Sequence, residues 1–412
     1  MKKRLIVIGG GAAGFFCAVN AARLQPALEV LLLEKTGKLL SKVKVSGGGR
    51  CNVTHAAPDI SYMARHYPRG QNFVKKAFGH FFVPDTIQWF AERGVELKTE
   101  ADGRMFPVTD SSQTIIDCLL READRYRVKI AVHQEVTDLQ PLTGGGWQVR
   151  LQDGRTLEAG FICVAAGGYA QEDKFNWLKR VGHHVAPPAP SLFTLNMPGH
   201  PITQLMGVSV PKAQLKVAGA KLQEQGPVLI THWGLSGPAV LRLSAWGARE
   251  LQQLHYTFTV LINWVPAYHE NSLREEMQAL RQQLGGQKIY GKSPFELPQR
   301  LWHFLLQQAG INENIRWADL PAKLQQVLIK SLVAMELPVK GKTTFKEEFV
   351  TCGGVQLAEI NPATMESKLA PGLYFAGEVM DVDGITGGFN FQHAWSSGYI
   401  AAAAMAAAVI GN

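Results

Sequence analysis

Three glycines and one carboxylate near the start of the chain have the types and spacing of a nucleotide-binding turn. Gly9, Gly11 and Gly14 fit the pattern G-x-G-x-x-G, and Glu34 follows the last glycine by 20 residues. Such glycines let the backbone approach a pyrophosphate, and an acid at this distance accepts hydrogen bonds from a ribose hydroxyl. We therefore predict an adenine dinucleotide site whose contact residues are Gly9, Gly11, Ala13, Gly14, Glu34 and Lys35.

The elements that position these residues follow from the pattern of apolar side chains. It predicts a buried parallel strand for LIVIGG, a mostly apolar helix for residues 15 to 24 and a second buried strand for EVLLLE. Free amides at the start of the helix would hold the phosphates. The start MKKR also resembles a secretory signal peptide, but the glycines interrupt its apolar core and no small-residue cleavage site follows.

A second glycine-rich segment, SGGGRCN, occupies residues 46 to 52. Its amides can face a ligand closely, and a cation and an amide stand beside the glycines. We interpret it as a second anion-binding or cofactor-facing loop, with a merely flexible glycine loop as the alternative. Cys51 lacks a CxxC partner, so a buried, inert thiol is favoured over a thiolate activated by Arg50. The predicted cofactor contacts here are Gly48, Gly49, Arg50, Cys51 and Asn52.

Composition is that of a soluble globular protein with two or three domains. The chain has 412 residues, 46% of them hydrophobic and 18% charged. Its net charge of +8 is spread along the sequence without a basic run, so no nucleic-acid partner is predicted. The five cysteines lack metal-ligand spacing, which predicts no metal site and a cytoplasmic location. The apolar tail from Ile400 to Ile410 is too short to span a bilayer, so no membrane partner is expected.

The chain between these motifs divides into a first domain and an insert. Residues 83 to 168 predict helices, a hairpin at Asp102-Gly103, a β-rich part and a buried strand that ends at Gly167. PPAPS reads as a linker. We therefore predict a discontinuous first domain of residues 1-190 and 341-412. The inserted domain is residues 191-340, β-rich over 191-265 and helical over 266-340.

Several blocks together resemble a known family. The glycine fingerprint, SGGGRCN, THWGLSGPA and GLYFAGEVMDVDGITGGFNFQHAWSSG are similar to those of bacterial flavoproteins called BaiN-like, YhiN-like or aminoacetone oxidase-like. The resemblance covers nearly the whole chain. It implies an α/β fold with an FAD domain of the two-dinucleotide-binding, Rossmann-like type and an inserted β-plus-helical domain. It also implies that Gly167 contacts the cofactor and that Val136 contacts the adenine through its backbone, with a core valine as the alternative for Val136.

The last glycine-rich block is predicted to bind the flavin half of FAD. Glu378 and Asp381 follow a predicted buried strand, where carboxylates can accept hydrogen bonds from ribityl hydroxyls. The glycines after them precede a helix, and a helix N-terminus stabilises the negative charge that a reduced flavin develops. The predicted contacts in this block are Gly377, Glu378, Asp381, Gly388, Phe389 and Asn390.

The expected function is that of an FAD-dependent oxidoreductase acting on a small organic substrate. Oxygen or NAD(P)H is the expected redox partner; no second G-x-G-x-x-G follows a strand, so NAD(P)H would bind only transiently. The candidate catalytic residues are Arg50, His232 and His393, each with a structural role as the alternative. A flavin-dependent tRNA-modifying enzyme and a non-catalytic FAD-binding redox module remain as other classes. The residues leave the substrate and the number of subunits open.

Overall fold

The computed structural model of the chain describes residues 3–344 and 350–410. These form two compact units that separate after Pro190. The first unit holds both ends of the chain, and the second is formed by the residues from Ser191 to 344. The predicted return to the first domain at residue 341 comes just before a short strand, Lys342–Thr343, that pairs within the second unit.

Both units contain strands and helices. The strands are β1 Arg4–Ile8, β2 Glu29–Leu33, β3 Thr54–His55, β4 Leu97–Thr99, β5 Arg104–Pro107, β6 Lys129–Ala131, β7 Val136–Pro141, β8 Trp147–Leu151, β9 Thr156–Ala159, β10 Phe161–Val164, β11 Val185–Ser191, β12 Thr194–Asn196, β13 Ser209–Val217, β14 Gln223–Ile230, β15 Gly234–Ser236, β16 Thr257–Asn263, β17 Met335–Lys340, β18 Lys342–Thr343, β19 Val350–Val355 and β20 Leu373–Phe375. The helices are α1 Ala12–Leu24, α2 Ser41–Gly49, α3 Ile60–Ala64, α4 Gln71–Ala77, α5 Val83–Ala91, α6 Ser112–Arg125, α7 Asn176–Arg180, α8 Pro238–Trp246, α9 Ala248–Gln253, α10 Glu270–Gln283, α11 Gln299–Gln308, α12 Ala322–Val333 and α13 Phe389–Ile410.

A parallel five-stranded sheet forms the centre of the first unit. Its order is β20-β10-β1-β2-β6, so strands from both ends of the chain lie side by side. Four residues of β1, Leu5 to Ile8, are buried, and every residue of β10 and β20 is buried. Strands covered on both faces read as continuous apolar runs, which is why LIVI and EVLLL predicted strands correctly.

Two glycines allow the first strand, turn and helix to pack closely. Gly9 has a φ of +117°, and a Cβ on it would lie 2.3 Å from the Ala165 carbonyl oxygen. A Cβ on Gly14 would lie 1.9 Å from the Gly9 carbonyl oxygen. No side chain fits at either place, so these glycines are required by the fold of the turn itself.

The first and last helices pack against each other in the first unit. A Cβ on Gly398 of α13 would lie 2.7 Å from the Ala13 carbonyl oxygen of α1. Beside this approach, the rings of Phe16 and Trp395 are 5.2 Å apart between centroids. Helix α13 contains the apolar, alanine-rich tail and begins well before it, at Phe389.

Two three-stranded antiparallel sheets also belong to the first unit. Their orders are β3-β5-β4 and β7-β8-β9. The first contains the predicted hairpin, in which β4 and β5 flank Asp102-Gly103. Helix α6 has Ser111 as its N-cap, because the Ser111 hydroxyl accepts a hydrogen bond from the Gln113 amide.

The prediction that PPAPS forms a linker is wrong. Residues Val185–Ser191 form strand β11, which pairs with β19 in a two-stranded sheet. Proline cannot donate a ladder hydrogen bond, but it is tolerated in an edge strand whose amides face away from the partner. A run of prolines therefore marked a boundary of the units without marking irregular structure.

The second unit contains a seven-stranded sheet and a helical part. The sheet order is β17-β16-β13-β14-β15-β12-β18. Its two outermost strands, β17 and β18, are consecutive in the chain and separated only by Gly341, whose φ is +96°. The sheet therefore curls until its two edges meet at one continuous segment. Its buried face and the helices share one apolar core that includes Trp264, Trp302 and Trp317.

Two details of the insert differ from the sequence prediction. Residues 335–340, predicted to be helical, form β17, because MELPVK alternates exposed and buried residues as a strand does. Within the predicted β-rich part, Pro238–Trp246 is a helix. Its apolar run AVL was ambiguous between strand and helix, and Pro238 occupies the first helical position, where proline is favoured.

Candidate functional site

The glycine turn leaves the start of α1 open to an anion. Helix α1 begins at Ala12 with Gly11 as its N-cap, and no described side chain caps it or places an acid in its first turn. A Cβ on Gly11 would meet no atom within 4 Å, in contrast to Gly9 and Gly14. The first amides of a helix have no partner within the helix and carry a partial positive charge. The unpaired amides at the start of α1 therefore face open space next to Gly11.

Glu34 is held in one orientation at the end of β2. Its Oε2 accepts a hydrogen bond from the Gly10 amide at 2.9 Å. Its Oε1 accepts from both the amide and the hydroxyl of Thr36 at 2.8 Å. A carboxylate can accept about four hydrogen bonds, so one acceptor position is left for a ribose hydroxyl.

Lys35 and Val136 lie near Glu34, together with a tyrosine that the sequence did not single out. The Gln134 amide donates to the Glu34 carbonyl oxygen at 2.9 Å, which brings the start of β7, where Val136 lies, beside the end of β2. The Lys35 ammonium lies 5.3 Å from the ring centroid of Tyr169. Burial raises the pKa of Tyr169 to about 12, so its hydroxyl stays protonated. Tyr169 follows Gly167 and Gly168, and only that position hinted at it.

Ala13, Gly167, Gly377 and Glu378 come together in the middle of the first unit. A Cβ on Gly377 would lie 2.8 Å from the Ala13 Cβ, and one on Gly167 would lie 4.0 Å from Oε2 of Glu378. The same Oε2 accepts from the Lys42 ammonium at 2.6 Å, and Oε1 accepts from the Thr351 amide at 2.8 Å. The sequence missed Lys42, because a lysine carries no motif and its partner is 336 residues away.

The SGGGRCN loop is joined to the last glycine block through Asn52. Gly48 and Gly49 have φ values of +70° and +86°, and a Cβ on either would meet no atom within 4 Å. With the Asn52 amide oriented to satisfy both of its hydrogen bonds, its oxygen accepts from the Gly388 amide at 3.0 Å. Its nitrogen then donates to the Thr54 carbonyl at 3.0 Å. Two segments far apart in sequence therefore meet where both were predicted to bind the cofactor.

Arg50 is engaged within the protein. Its guanidinium donates to Oε1 of Glu100 at 2.6 Å, lies 3.5 Å from Asp110 and stacks 4.0 Å from the ring centroid of Phe106. The hydrogen bond to Glu100 raises the pKa of Arg50. These contacts fix the loop. They leave less of the guanidinium for a pyrophosphate or a substrate carboxylate than the sequence suggested.

Cys51 is fully buried next to Arg50. Burial raises the pKa of its thiol to about 12, against which a hydrogen bond with Ser46 acts only weakly. The thiol therefore stays protonated at neutral pH, which agrees with the buried, inert thiol favoured by the sequence. All five cysteines are buried.

Side chains close the loop before α13 on itself. Oδ1 of Asn390 accepts from the Gly384 amide at 2.8 Å, and Nδ2 donates to the Gly384 carbonyl at 2.9 Å. The Phe389 carbonyl accepts from the Tyr67 hydroxyl at 2.6 Å, and the Phe389 ring stacks on His55 with centroids 4.7 Å apart. The side chain of Asn390 is therefore used in shaping the loop, which leaves first-turn amides of α13 for a ligand.

Asp381 lies within the last glycine-rich block, six residues after the end of β20. Its amide donates to the Val355 carbonyl at 3.0 Å, and the residue is half-buried. This backbone bond fixes the position of Asp381 next to β19. The role predicted for its carboxylate remains a prediction.

His393 is enclosed by protein. The residue is 2% exposed, and neither ring nitrogen has a hydrogen-bond partner in the described part of the chain. Burial lowers the pKa of its imidazole to about 4. The imidazole is therefore neutral at neutral pH, and the catalytic role of His393 remains a prediction.

His232 belongs to the second unit. It is exposed in the turn between β14 and β15, with its ring 4.4 Å from that of Trp233 between centroids. The Trp233 indole donates to the Thr194 hydroxyl at 3.0 Å, which fixes the base of the turn. The catalytic role of His232 remains a prediction.

Neither a metal centre nor a membrane span is found in residues 3–344 and 350–410. No three acidic, histidine or cysteine side chains there are grouped so that they could hold a metal ion. No described helix is long and apolar enough to cross a bilayer.

Comparison with known proteins gives the family. A family model described as the HI0933-like protein Rossmann domain matches residues 3–404. The chain belongs to the HI0933-like family. This confirms the resemblance found in the glycine-rich blocks.

Two HI0933-like relatives match over almost their whole length. A 3-dehydro-bile acid delta(4,6)-reductase of Clostridium scindens is 30% identical, covering 98% of this chain and 99% of the relative. A ribosomal RNA dihydrouridine synthase of Escherichia coli is 33% identical and covers 98% of each chain. Among solved structures, a 3-ketosteroid-delta4-(5alpha)-dehydrogenase of Rhodococcus jostii has a TM-score of 0.52 at 14% identity, over 98% of this chain and 96% of that one. At this identity the likeness shows the fold alone.

These findings confirm the predicted Rossmann-type FAD fold, the cofactor and the enzyme class. HI0933-like proteins are FAD-dependent oxidoreductases, and this chain is one of them. Its residues fit FAD. The space above Gly11 faces the uncapped start of α1, Glu34 keeps an acceptor for the ribose, and Gly48 and Gly49 border further open space.

Proposed function

We propose that this HI0933-like chain is a flavin-dependent reductase that saturates a carbon–carbon double bond conjugated with a carbonyl group. We further propose that its substrate is a uracil base in RNA and its electron source a reduced nicotinamide. The observation that carries the reaction type is the shared chemistry of two relatives matching over nearly the whole chain.

Those two relatives share a reaction although their substrates differ. A dihydrouridine is a uridine whose ring double bond, conjugated with a carbonyl, has been saturated. A delta(4,6) reductase of a 3-oxo steroid acts on double bonds conjugated with the 3-oxo group. The names therefore describe one reaction type on two substrate classes.

The chemistry balances with one hydride and one proton. When bound, FAD supplies two-electron hydride transfer. One carbon of the double bond gains the hydride and the other gains a proton, while NADH or NADPH is oxidised to supply the two electrons. The conjugated carbonyl makes the bond electrophilic enough to accept a hydride.

The protein supplies binding and orientation for this reaction. The start of α1 would stabilise the pyrophosphate charge, and Glu34 would orient the adenosine ribose. Glu378, oriented by an ion pair with Lys42 at 2.6 Å, would hold the flavin half of FAD through its carboxylate. The link from Asn52 to Gly388 would keep two cofactor loops at a fixed separation.

Charge distribution supports RNA as the substrate. The segment of residues 191–344 contains 15 Lys and Arg but only 9 Asp and Glu, an excess of 6 out of the net +8 of the chain. We had expected the positive charge to be spread along the sequence. Instead, most of the excess lies in the second unit. An uneven positive charge is the usual electrostatic footprint of a nucleic-acid partner. This proposal replaces the sequence-based prediction of a small organic substrate.

A small conjugated ketone is the second candidate substrate. The observation that favours it is the Clostridium scindens relative, which is 30% identical over 98% of this chain. Such a substrate is apolar near its reacting bond and carries far fewer negative charges than RNA, so the basic second unit favours it less.

Nucleoside analysis tests the proposal. FAD-loaded protein is incubated anaerobically with NADPH or NADH and ribosomal RNA transcribed in vitro, and the RNA is digested and examined by mass spectrometry. We expect a nucleoside 2 Da heavier than uridine and a matching loss of the reduced nicotinamide. Reduction of a 3-oxo-4,6-diene steroid with unchanged RNA would support the second candidate, and nicotinamide oxidation with neither product would contradict the reductase.

A further inference from the structure

A short two-stranded ribbon in the helical part of the second unit brings two cations together. The Ile289 amide donates to the Ile315 carbonyl at 3.0 Å, and the Trp317 amide donates to the Gln287 carbonyl at 3.1 Å. These bonds flank the antiparallel bridge between Lys288 and Arg316. We call residues 287–289 and 315–317 the basic ribbon.

The two cations occupy the position of closest approach in such a pair. With hydrogen bonds on either side and none between them, Lys288 and Arg316 form a non-hydrogen-bonded pair, in which Cα atoms lie about 4.5 Å apart and side chains share one face. Both are exposed. Like charges placed directly opposite destabilise a sheet. The arrangement is therefore unfavourable until an anion lies between the side chains.

Protein groups do not neutralise this pair. The Lys288 ammonium donates to Oδ1 of Asn314 at 3.1 Å, and neither Lys288 nor Arg316 makes an ion pair with a carboxylate of the described chain. Glu313 and Asp319 are exposed nearby in sequence. They lower the net charge of the region without reaching the two cations.

A third cation and a rigid base accompany the pair. Arg281 donates to the Ala318 carbonyl at 2.8 Å and to the Gln325 side chain at 3.2 Å, so its guanidinium lies beside the ribbon and pairs with no described carboxylate. Under the ribbon, the buried Trp302 indole donates to the Ile289 carbonyl at 3.0 Å. The cations therefore project from a base fixed by buried aromatic packing.

We infer that the basic ribbon binds phosphate groups of the RNA backbone, with Lys288 and Arg316 as the contacts. The inference rests on the proposed function, because it assigns that RNA substrate a surface on the second unit. Phosphate oxygens accept charge-assisted hydrogen bonds from lysine and from the fork of arginine. A phosphate between the two side chains would also remove their mutual repulsion.

An anionic membrane fits the ribbon less well than RNA does. Binding to a lipid surface combines cations with apolar side chains that enter the interface. The large exposed apolar residues described for the second unit are Met206, Leu229, Trp246, Leu254 and Val327, and none of them lies in the ribbon.

The test measures how salt affects RNA binding. FAD-loaded protein is titrated into a fluorescein-labelled RNA hairpin at a series of potassium chloride concentrations, and anisotropy gives Kd. Each neutralised phosphate contributes about 0.7 to 0.9 to the slope of log K against log salt. For the double variant K288Q/R316Q we expect a slope smaller by roughly 1.5 and binding roughly tenfold weaker at low salt.

A matched variant and a lipid probe complete the experiment. K212Q/K216Q removes the same charge from exposed positions of β13, and we expect its slope to stay within about 0.3 of the wild type. An equal decrease of the salt slope in both double variants would overturn the inference. It would also be overturned if K288Q/R316Q lost binding to phosphatidylserine vesicles while its RNA binding stayed unchanged. Because binding is read without turnover, a failed dihydrouridine assay with the expected slope change would refute the reaction and leave the ribbon intact. Circular dichroism and bound FAD would show that each variant folds.

Discussion

Burial of His393 should make the stability of the first unit depend on pH. Replacing His393 should remove that dependence. The imidazole is 2% exposed, without a hydrogen-bond partner in the described residues, and burial lowers its pKa from 6.5 to about 4. Between these values the unfolded chain binds a proton that the folded chain does not. Stability is therefore complete above pH 6.5 and falls as the pH drops toward 4.

The size of the effect follows from the two pKa values. Each pH unit between the two pKa values changes the free energy of unfolding by about 1.4 kcal/mol. The free energy of unfolding should therefore be about 2 kcal/mol lower at pH 5 than at pH 7.5. His393→Leu removes this term. It also replaces two unpaired buried nitrogens with an apolar side chain, which is nearly neutral or stabilising at pH 7.5.

Urea unfolding at several pH values measures this dependence. The FAD-loaded wild type and His393→Leu are unfolded at pH 7.5, 6.0 and 5.0, followed by far-ultraviolet circular dichroism, with His80→Leu as a control at an exposed position. We expect the free energy of unfolding of His393→Leu to lose about 2 kcal/mol less than the wild type between pH 7.5 and 5.0. Parallel profiles for all three proteins would refute the argument from enclosure.

The glycine turn and its acid give two further predictions. Glu34→Ala should weaken FAD retention, measured by flavin fluorescence on dilution, whereas unchanged affinity would show that the ribose contact is elsewhere. Gly14→Ala should lower stability by about 1–3 kcal/mol, because its Cβ would lie 1.9 Å from the Gly9 carbonyl. Gly11→Ala should fold normally, since its Cβ meets no atom within 4 Å, and lose FAD affinity because that space belongs to the cofactor. Equal thermal stability of the two glycine variants would contradict this distinction.

Sequence reasoning succeeded where local chemistry and local structure agree. Gly9, Gly14 and Glu34 have roles set by a single strand–turn–helix–strand unit, and the structure gives each glycine the close contact that its spacing implied. The hairpin at Asp102-Gly103 and the cap at Ser111 are equally local. Such features depend on about 30 consecutive residues, which a sequence pattern can carry.

It could not show partners that are distant in sequence. Arg50 stood beside glycines as a candidate ligand, yet Glu100 and Phe106 hold it in the protein. Lys42 gave no signal at all, because only folding brings it to Glu378. The position of His393 in the first turns of α13 suggested chemistry, but its burial depends on packing that no pattern records.

The order of strands in the central sheet has a consequence for how the protein is made. Strand β20 pairs with β10, and α13 packs on α1, yet β20 and α13 both follow the second unit in the chain and are synthesised after it. Until then the apolar strand FICV has an open edge, and such an edge can pair with another chain. Meanwhile the second unit, made of one continuous segment, has all its partners. The cofactor domain is thus started before the second unit but can close only after that unit has been synthesised.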